Sequence, residues 1–174
     1  MNNSLGIRHI VQFVVFVALQ ILLMDNLVLF GTGFSFIYIA FLLFLPLEMN
    51  RVLLLFMGFI AGFAVDIFYD TMGIHAAASV LLAYLRPMIL NLLTPRDGYD
   101  TNDSVNIHIM GWGWFLAYAL TLILAHHTAV FLLEIFSLEG LSAAVPKILL
   151  STLFTGVVMV ILQLLFFSLK RANR

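Results

Sequence analysis

The 174-residue chain contains no cysteine. Disulfides, thiolate nucleophiles and cysteine metal sites are therefore excluded. Charge is also scarce: Asp, Glu, Lys and Arg make up 10% of the residues, against roughly a quarter in soluble domains. The net charge is −1, and no basic run is long enough to track a nucleic-acid backbone. There is no nucleophile-and-base pair and no HExxH motif, so catalysis has no starting constellation. A soluble domain is missing too, because the longest polar stretch, about residues 94–106, is too short to fold alone.

What remains is apolar. Hydrophobic residues make up 63% of the chain, and the mean hydropathy is +1.11. A globule of this composition lacks the polar surface to cover its core, so the solvent over most of the chain must be lipid. The first apolar run is not followed by a small-residue cleavage site, and it reads as a retained span. A crossing helix needs about 20 residues. The apolar runs predict six spans, at about residues 9–30, 34–47, 52–68, 74–93, 112–136 and 145–169. The second is short for a helical crossing. It reads as a thin span, with a tilted partner or a re-entrant hairpin as alternatives.

Charge sorting favours six. With both termini on one side, that side receives Arg8, Arg51, Arg86, Arg96, Lys170, Arg171 and Arg174, and the other receives Lys147 alone. The positive-inside rule makes the rich side, and hence both termini, cytoplasmic. The expected fold class is an all-α integral membrane bundle forming a single domain. Trp112 and Trp114 fit an interfacial belt at the start of the fifth span.

The third span carries the densest pattern. Gly58, Gly62, Asp66 and Asp70 recur every four residues, so they share one slowly drifting helix stripe. The glycines permit close approach of another backbone. An acid near the membrane end of such a stripe needs a partner, a cation, a proton or a wet site. That argument favours a constrained Asp66, while Asp70 is expected to reach water. Gly73 follows and is expected to end the helix.

Other polar residues invite blander readings. Adjacent His126 and His127 point about 100 degrees apart on a helix and do not form one ligand set. No zinc spacing is met, so polar packing or a water-lined crevice is expected. Arg86 is expected to snorkel to the cytoplasmic face as a topology anchor, and Pro87 to kink or end its helix. Gln12, Gln20 and Gln163 are expected to bond between helices. No catalytic residue, metal ligand or cofactor is predicted.

The run Gly58-xxx-Gly62-xxx-Asp66, then Gly73-Ile74-His75-Ala76, then Ala83-Tyr84-Leu85-Arg86, resembles the core of the MreD family of bacterial rod-shape-determining membrane proteins. The motif resemblance covers about Gly58 to Arg86, and the length and span layout extend it loosely over the chain. The chain departs from the family in its acidic loop from Asp97 to Asp103 and in its His126-His127 pair. The resemblance implies a non-enzymatic scaffold of the cell-elongation complex in the bacterial inner membrane. It implies contact with an MreC-like protein and, indirectly, with MreB, a transpeptidase and a SEDS glycosyltransferase of peptidoglycan synthesis. It also implies a bundle similar to the S components of ECF transporters. Gly58, Gly62, Asp66, Gly73, His75 and Arg86 are the candidate partner-binding or core-packing residues. The rival class is a small-molecule-binding component of a membrane transporter, with Asp66, His75, His126 and Glu134 lining a pocket.

Overall fold

A computed structural model of the chain describes residues 3–23, 27–99, 105–135 and 141–166. Helix α1 spans Asn3–Leu23 and leads into a hairpin of β1 (Val28–Leu29) and β2 (Gly33–Phe34), with Val28 opposite Phe34. A 3-10 turn at Ile37–Ile39 runs into the single turn of α2 (Ala40–Leu43). The long helices α3 (Arg51–Tyr69) and α4 (Ile74–Leu92) follow. The short α5 (Ile107–Met110) precedes α6 (Trp112–Glu134) and α7 (Leu141–Phe166).

Among the described residues, four helices are long and apolar enough to cross a membrane: α3, α4, α6, and α7 from Ser142. A shorter apolar stretch, His9–Leu22, lies within α1. This supports an all-α membrane protein in outline, with two corrections. The first helix is described to Leu23 and does not reach Phe30: residues 27–36 are not helical, and positive φ at Phe30 and Gly31 turns the chain back on itself in the hairpin. Residues 34–47 do not form a spanning helix. They combine extended chain with one turn of 3-10 helix and one of α-helix.

That irregular segment is the centre of the fold. Every residue from Ser35 to Leu45 is buried. Irregular backbone is tolerated at membrane depth only when protein, not lipid, satisfies its polar groups. Here the surrounding helices do so. Gln20 of α1 donates to the Ser35 carbonyl (3.3 Å) and accepts from the Tyr38 N–H (3.4 Å). Ser151 and Thr155 of α7 accept from the Phe34 and Phe36 N–H groups (2.9 and 3.2 Å).

The segment also gives the bundle two recognisable ends. Phe34 lies beside Ser151 on α7 and near Phe131 on α6. Leu45 and Pro46 lie beside Arg86 on α4. The first is called the hairpin end below. It also holds the turn between α3 and α4.

Candidate functional site

The residues of the Gly58-to-Arg86 run form one packed hairpin of α3 and α4. Small residues make it possible. Gly58 and Gly62 are both buried, on the side of α3 that faces α4. A Cβ on Gly62 would lie 2.5 Å from both Cα and N of Ala76. One on Gly58 would lie 2.9 Å from the Ser79 carbonyl oxygen and 3.0 Å from the Ala83 Cβ. The two helices therefore touch backbone to backbone at Gly62 and slightly less closely at Gly58.

This gradient sets an expected result. Gly58→Ala forces a small separation and costs about 1–3 kcal/mol, the usual range for overpacking. Gly62→Ala meets the α4 backbone at closer range and should cost more. Thermal unfolding of the two variants in the same detergent checks the order; equal melting temperatures would contradict it.

Asp66 closes the hairpin. Its side chain accepts from the backbone N–H of His75 (3.0 Å) and of Ala76 (2.8 Å). It also accepts from the Thr71 hydroxyl (2.5 Å), and its Oδ1 lies 3.2 Å from His75 Nδ1. The first N–H groups of a helix have no intrahelical acceptor. Those of α4 begin after Gly73, which sits at φ +92° and offers no capping side chain. Asp66 supplies the missing acceptors from the end of the preceding helix, and its negative charge faces the positive end of the α4 dipole. The sequence places the acid at a helix C-terminus, where it opposes a dipole. It leaves out this favourable second helix. Asp70 is exposed, caps the end of α3 with φ +55°, and carries its N–H to the Asp66 carbonyl.

Arg86 is corrected. It does not snorkel: it is 1% exposed and lies at the centre of a polar joint. Nε donates to the Tyr118 hydroxyl on α6 (2.8 Å). One terminal nitrogen donates to the carbonyls of Leu45 (2.6 Å) and Pro46 (3.2 Å). Tyr118 in turn donates to the Leu43 carbonyl (2.9 Å). Leu43 is the last residue of α2, whose final carbonyls have no intrahelical donor, and Leu45 and Pro46 lie in the irregular chain that follows. The guanidinium fork meets several acceptors from fixed, separated nitrogens, where a lysine presents a single point charge. Pro87 does not end the helix either, since α4 continues to Leu92.

The two histidines split as their spacing predicts, and both hold the irregular segment. His126 pairs with the Tyr38 hydroxyl (2.7 Å), which also pairs with Ser79 (3.1 Å). His127 Nδ1 faces the Ile123 carbonyl (2.8 Å), so in the neutral ring it carries the proton. Nε2 is then free to accept from Thr155 (3.0 Å), the hydroxyl that receives the Phe36 N–H. This role has no sequence signal, because the partners are residues 38 and 155. Among the glutamines, Gln20 ties α1 to Tyr69 of α3 (2.9 Å) and to the irregular segment. Gln163 binds the backbone at Val105 and Ile107. Gln12 instead pairs with His9 on its own helix.

The four residues of the transporter reading are brought together only in part: Asp66 and His75 are paired (3.2 Å), and His126 is not in the wall of the cavity that His75 lines. Asp66 serves α4 and His126 serves Tyr38, while His75 and Glu134 share one cavity at the hairpin end. Among the described residues, no group of three or more His, Asp or Glu is placed to hold a metal ion. Compared with family models, curated proteins and solved structures, the chain matches none. A family reading therefore rests on the α3–α4 residues themselves.

Proposed function

We propose that the chain is a non-enzymatic scaffold of the bacterial cell-elongation machinery, of the MreD kind, acting in the inner membrane through an MreC-like single-span partner. The observation that carries this reading is the division of labour in the α3–α4 hairpin. Its inner face is consumed by packing and by the Asp66 cap. Its outer face is apolar and open, with Phe59 and Phe63 stacked at 5.5 Å and both about half exposed. A groove of about 720 Å³ lies between these rings and Ala77 and Val80 of α4, with Asp66 and Asp70 in its wall toward the α3–α4 turn. A rigid hairpin with an outward groove suits a protein that works by holding another helix.

The wider layout in this proposal has six crossings in an S-component-like bundle with both termini in the cytoplasm. The irregular segment supplies the second crossing. If its extended, 3-10 and α parts run in line, at about 3.3, 2.0 and 1.5 Å per residue, the segment from Gly33 to Leu45 spans roughly 25 Å. That approaches the hydrocarbon thickness of about 30 Å. Arg51 and Arg96 then belong to the cytoplasmic end and Lys147 to the hairpin end, outside.

The test uses the outer face, since Gly62→Leu would damage the fold itself. Ala77→Trp fills the groove from an exposed position. Its expected result is unchanged thermal unfolding, a recovery of the co-expressed MreC-like protein reduced at least tenfold, and loss of rod shape in a strain depending on the variant. Full recovery and normal shape would overturn the scaffold reading. Reporter fusions placing the termini on opposite faces would overturn the six-crossing layout.

A further inference from the structure

A second site lies inside the hairpin end, separate from the outer groove and independent of the scaffold reading. A cavity of about 350 Å³ opens between the ends of α3 and α6 and the beginnings of α4 and α7. That volume falls within the range of small-molecule pockets, about 300–1,000 Å³. Its walls are aromatic: Phe34 and Phe36 from the irregular segment, Phe68 and Tyr69 from α3, and Phe131 from α6. At one side Lys147 pairs with Glu134 (2.9 Å), and its ammonium sits over the rings of Phe131 (4.5 Å) and Phe34 (5.1 Å).

One polar group in the wall has no partner. His75 is 4% exposed, and its Nε2 is buried without a hydrogen bond among the described residues. Its other nitrogen is committed. Nδ1 lies beside the Asp66 carboxylate, which accepts the Nδ1 proton and so fixes the tautomer. Nε2 is left with a bare lone pair, and buried acceptors of this kind are nearly always met in native structures. Edge-on rings of Phe36 at 5.3 Å and Tyr69 at 5.7 Å hold the imidazole in place. The Lys147 charge is already answered by Glu134, so among the described residues the cavity offers no free cation to an anionic ligand.

We infer that this cavity binds a small planar molecule of one or two rings that carries an N–H or O–H donor, its rings against the phenylalanines and its donor on His75 Nε2. The aromatic walls supply affinity, and the single oriented acceptor supplies selectivity. A site built to receive a donor rejects an isostere that lacks it far more strongly than a purely apolar pocket would.

The experiment compares indole with 1-methylindole, which keeps the ring and loses the N–H. Binding to the full chain in lipid nanodiscs is measured by calorimetry, with empty nanodiscs subtracted for partitioning. Indole is expected to bind saturably at one site per chain, at least tenfold more tightly than 1-methylindole. Two cavity-filling variants, Val130→Phe and Ile74→Trp, add bulk to the wall without touching a polar group. Either one, if it unfolds at the wild-type temperature, should lose indole binding at least tenfold. Equal binding of the two probes, unchanged binding in a folded filled variant, or no saturable signal above empty discs would each overturn the inference. None of these outcomes bears on recovery of the MreC-like partner, so this site and the scaffold reading fail separately.

Discussion

Replacing Arg86 with methionine is expected to remove about 3–5 kcal/mol of stability, mid-range for two carbonyls that lose their only side-chain donor in a buried joint. Methionine keeps much of the apolar stem, so the loss comes mainly from the polar groups left behind. The carbonyls of Leu45 and Pro46 lose their donor, and each buried orphan costs about 1–3 kcal/mol. Arg86→Lys should fall between, because an ammonium keeps the charge but not the fork that reaches Tyr118 and Leu45 together. Tyr118→Phe should be milder than Arg86→Met, since it removes one acceptor for Arg86 and one donor to Leu43. The double variant Arg86→Met/Tyr118→Phe should cost less than the sum of the two, because they share one network. Thermal unfolding in detergent measures the series. Trp114 stacks on Tyr118 at 5.1 Å, so tryptophan fluorescence reports the joint directly. Wild-type stability in Arg86→Met would mean that the irregular segment is held by its apolar side chains alone.

The same joint explains what a reader of the sequence can and cannot see. The period of four in Gly58, Gly62 and Asp66 is legible because a helix turns each repeat into one face, and that face meets α4. The ends of α3, α4 and α6 are legible for a similar reason, because apolar runs stop where polar residues begin. Residues 34–47 are different. A buried irregular segment and a buried helix are both apolar throughout, so periodicity cannot separate them. The difference lies in distant donors and acceptors such as Gln20, Arg86, Thr155 and His127. Each of these has a blander local reading: a snorkelling anchor, an interhelical glutamine, a histidine in a polar crevice. Only when the segment from Phe34 to Leu45 is seen to lack a continuous helical ladder does their common task appear. His75 is half legible. Its place after the α3–α4 turn follows from the sequence, but its unmet nitrogen depends on which edge Asp66 occupies.

Asp66→Ala is expected to be the other severe substitution, again about 3–5 kcal/mol, and its damage should be local before it is global. Four donors depend on this carboxylate: two backbone N–H groups, the Thr71 hydroxyl and His75 Nδ1. Hydrogen bonds to a charged group contribute about 1.5–3 kcal/mol each, and they share one acceptor, so the sum is less than the parts. Asp66→Asn should keep part of this. Its carbonyl can serve the His75 N–H, but its amide then points donor to donor at the Ala76 N–H. Hydrogen exchange in detergent separates the cap from general weakening. The amides of His75 and Ala76 should lose protection by a larger factor than those of α6, in Asp66→Asn as well as in Asp66→Ala. The turn itself resists rescue by the chain, because Asp70, Met72 and Gly73 already sit at positive φ and leave little freedom to supply another cap. A cation-binding Asp66 makes a different forecast: divalent ions would raise the melting temperature of the wild type and not of Asp66→Asn. With both carboxylate oxygens already turned to α4, no such rise is expected, and a saturable one would displace the capping role.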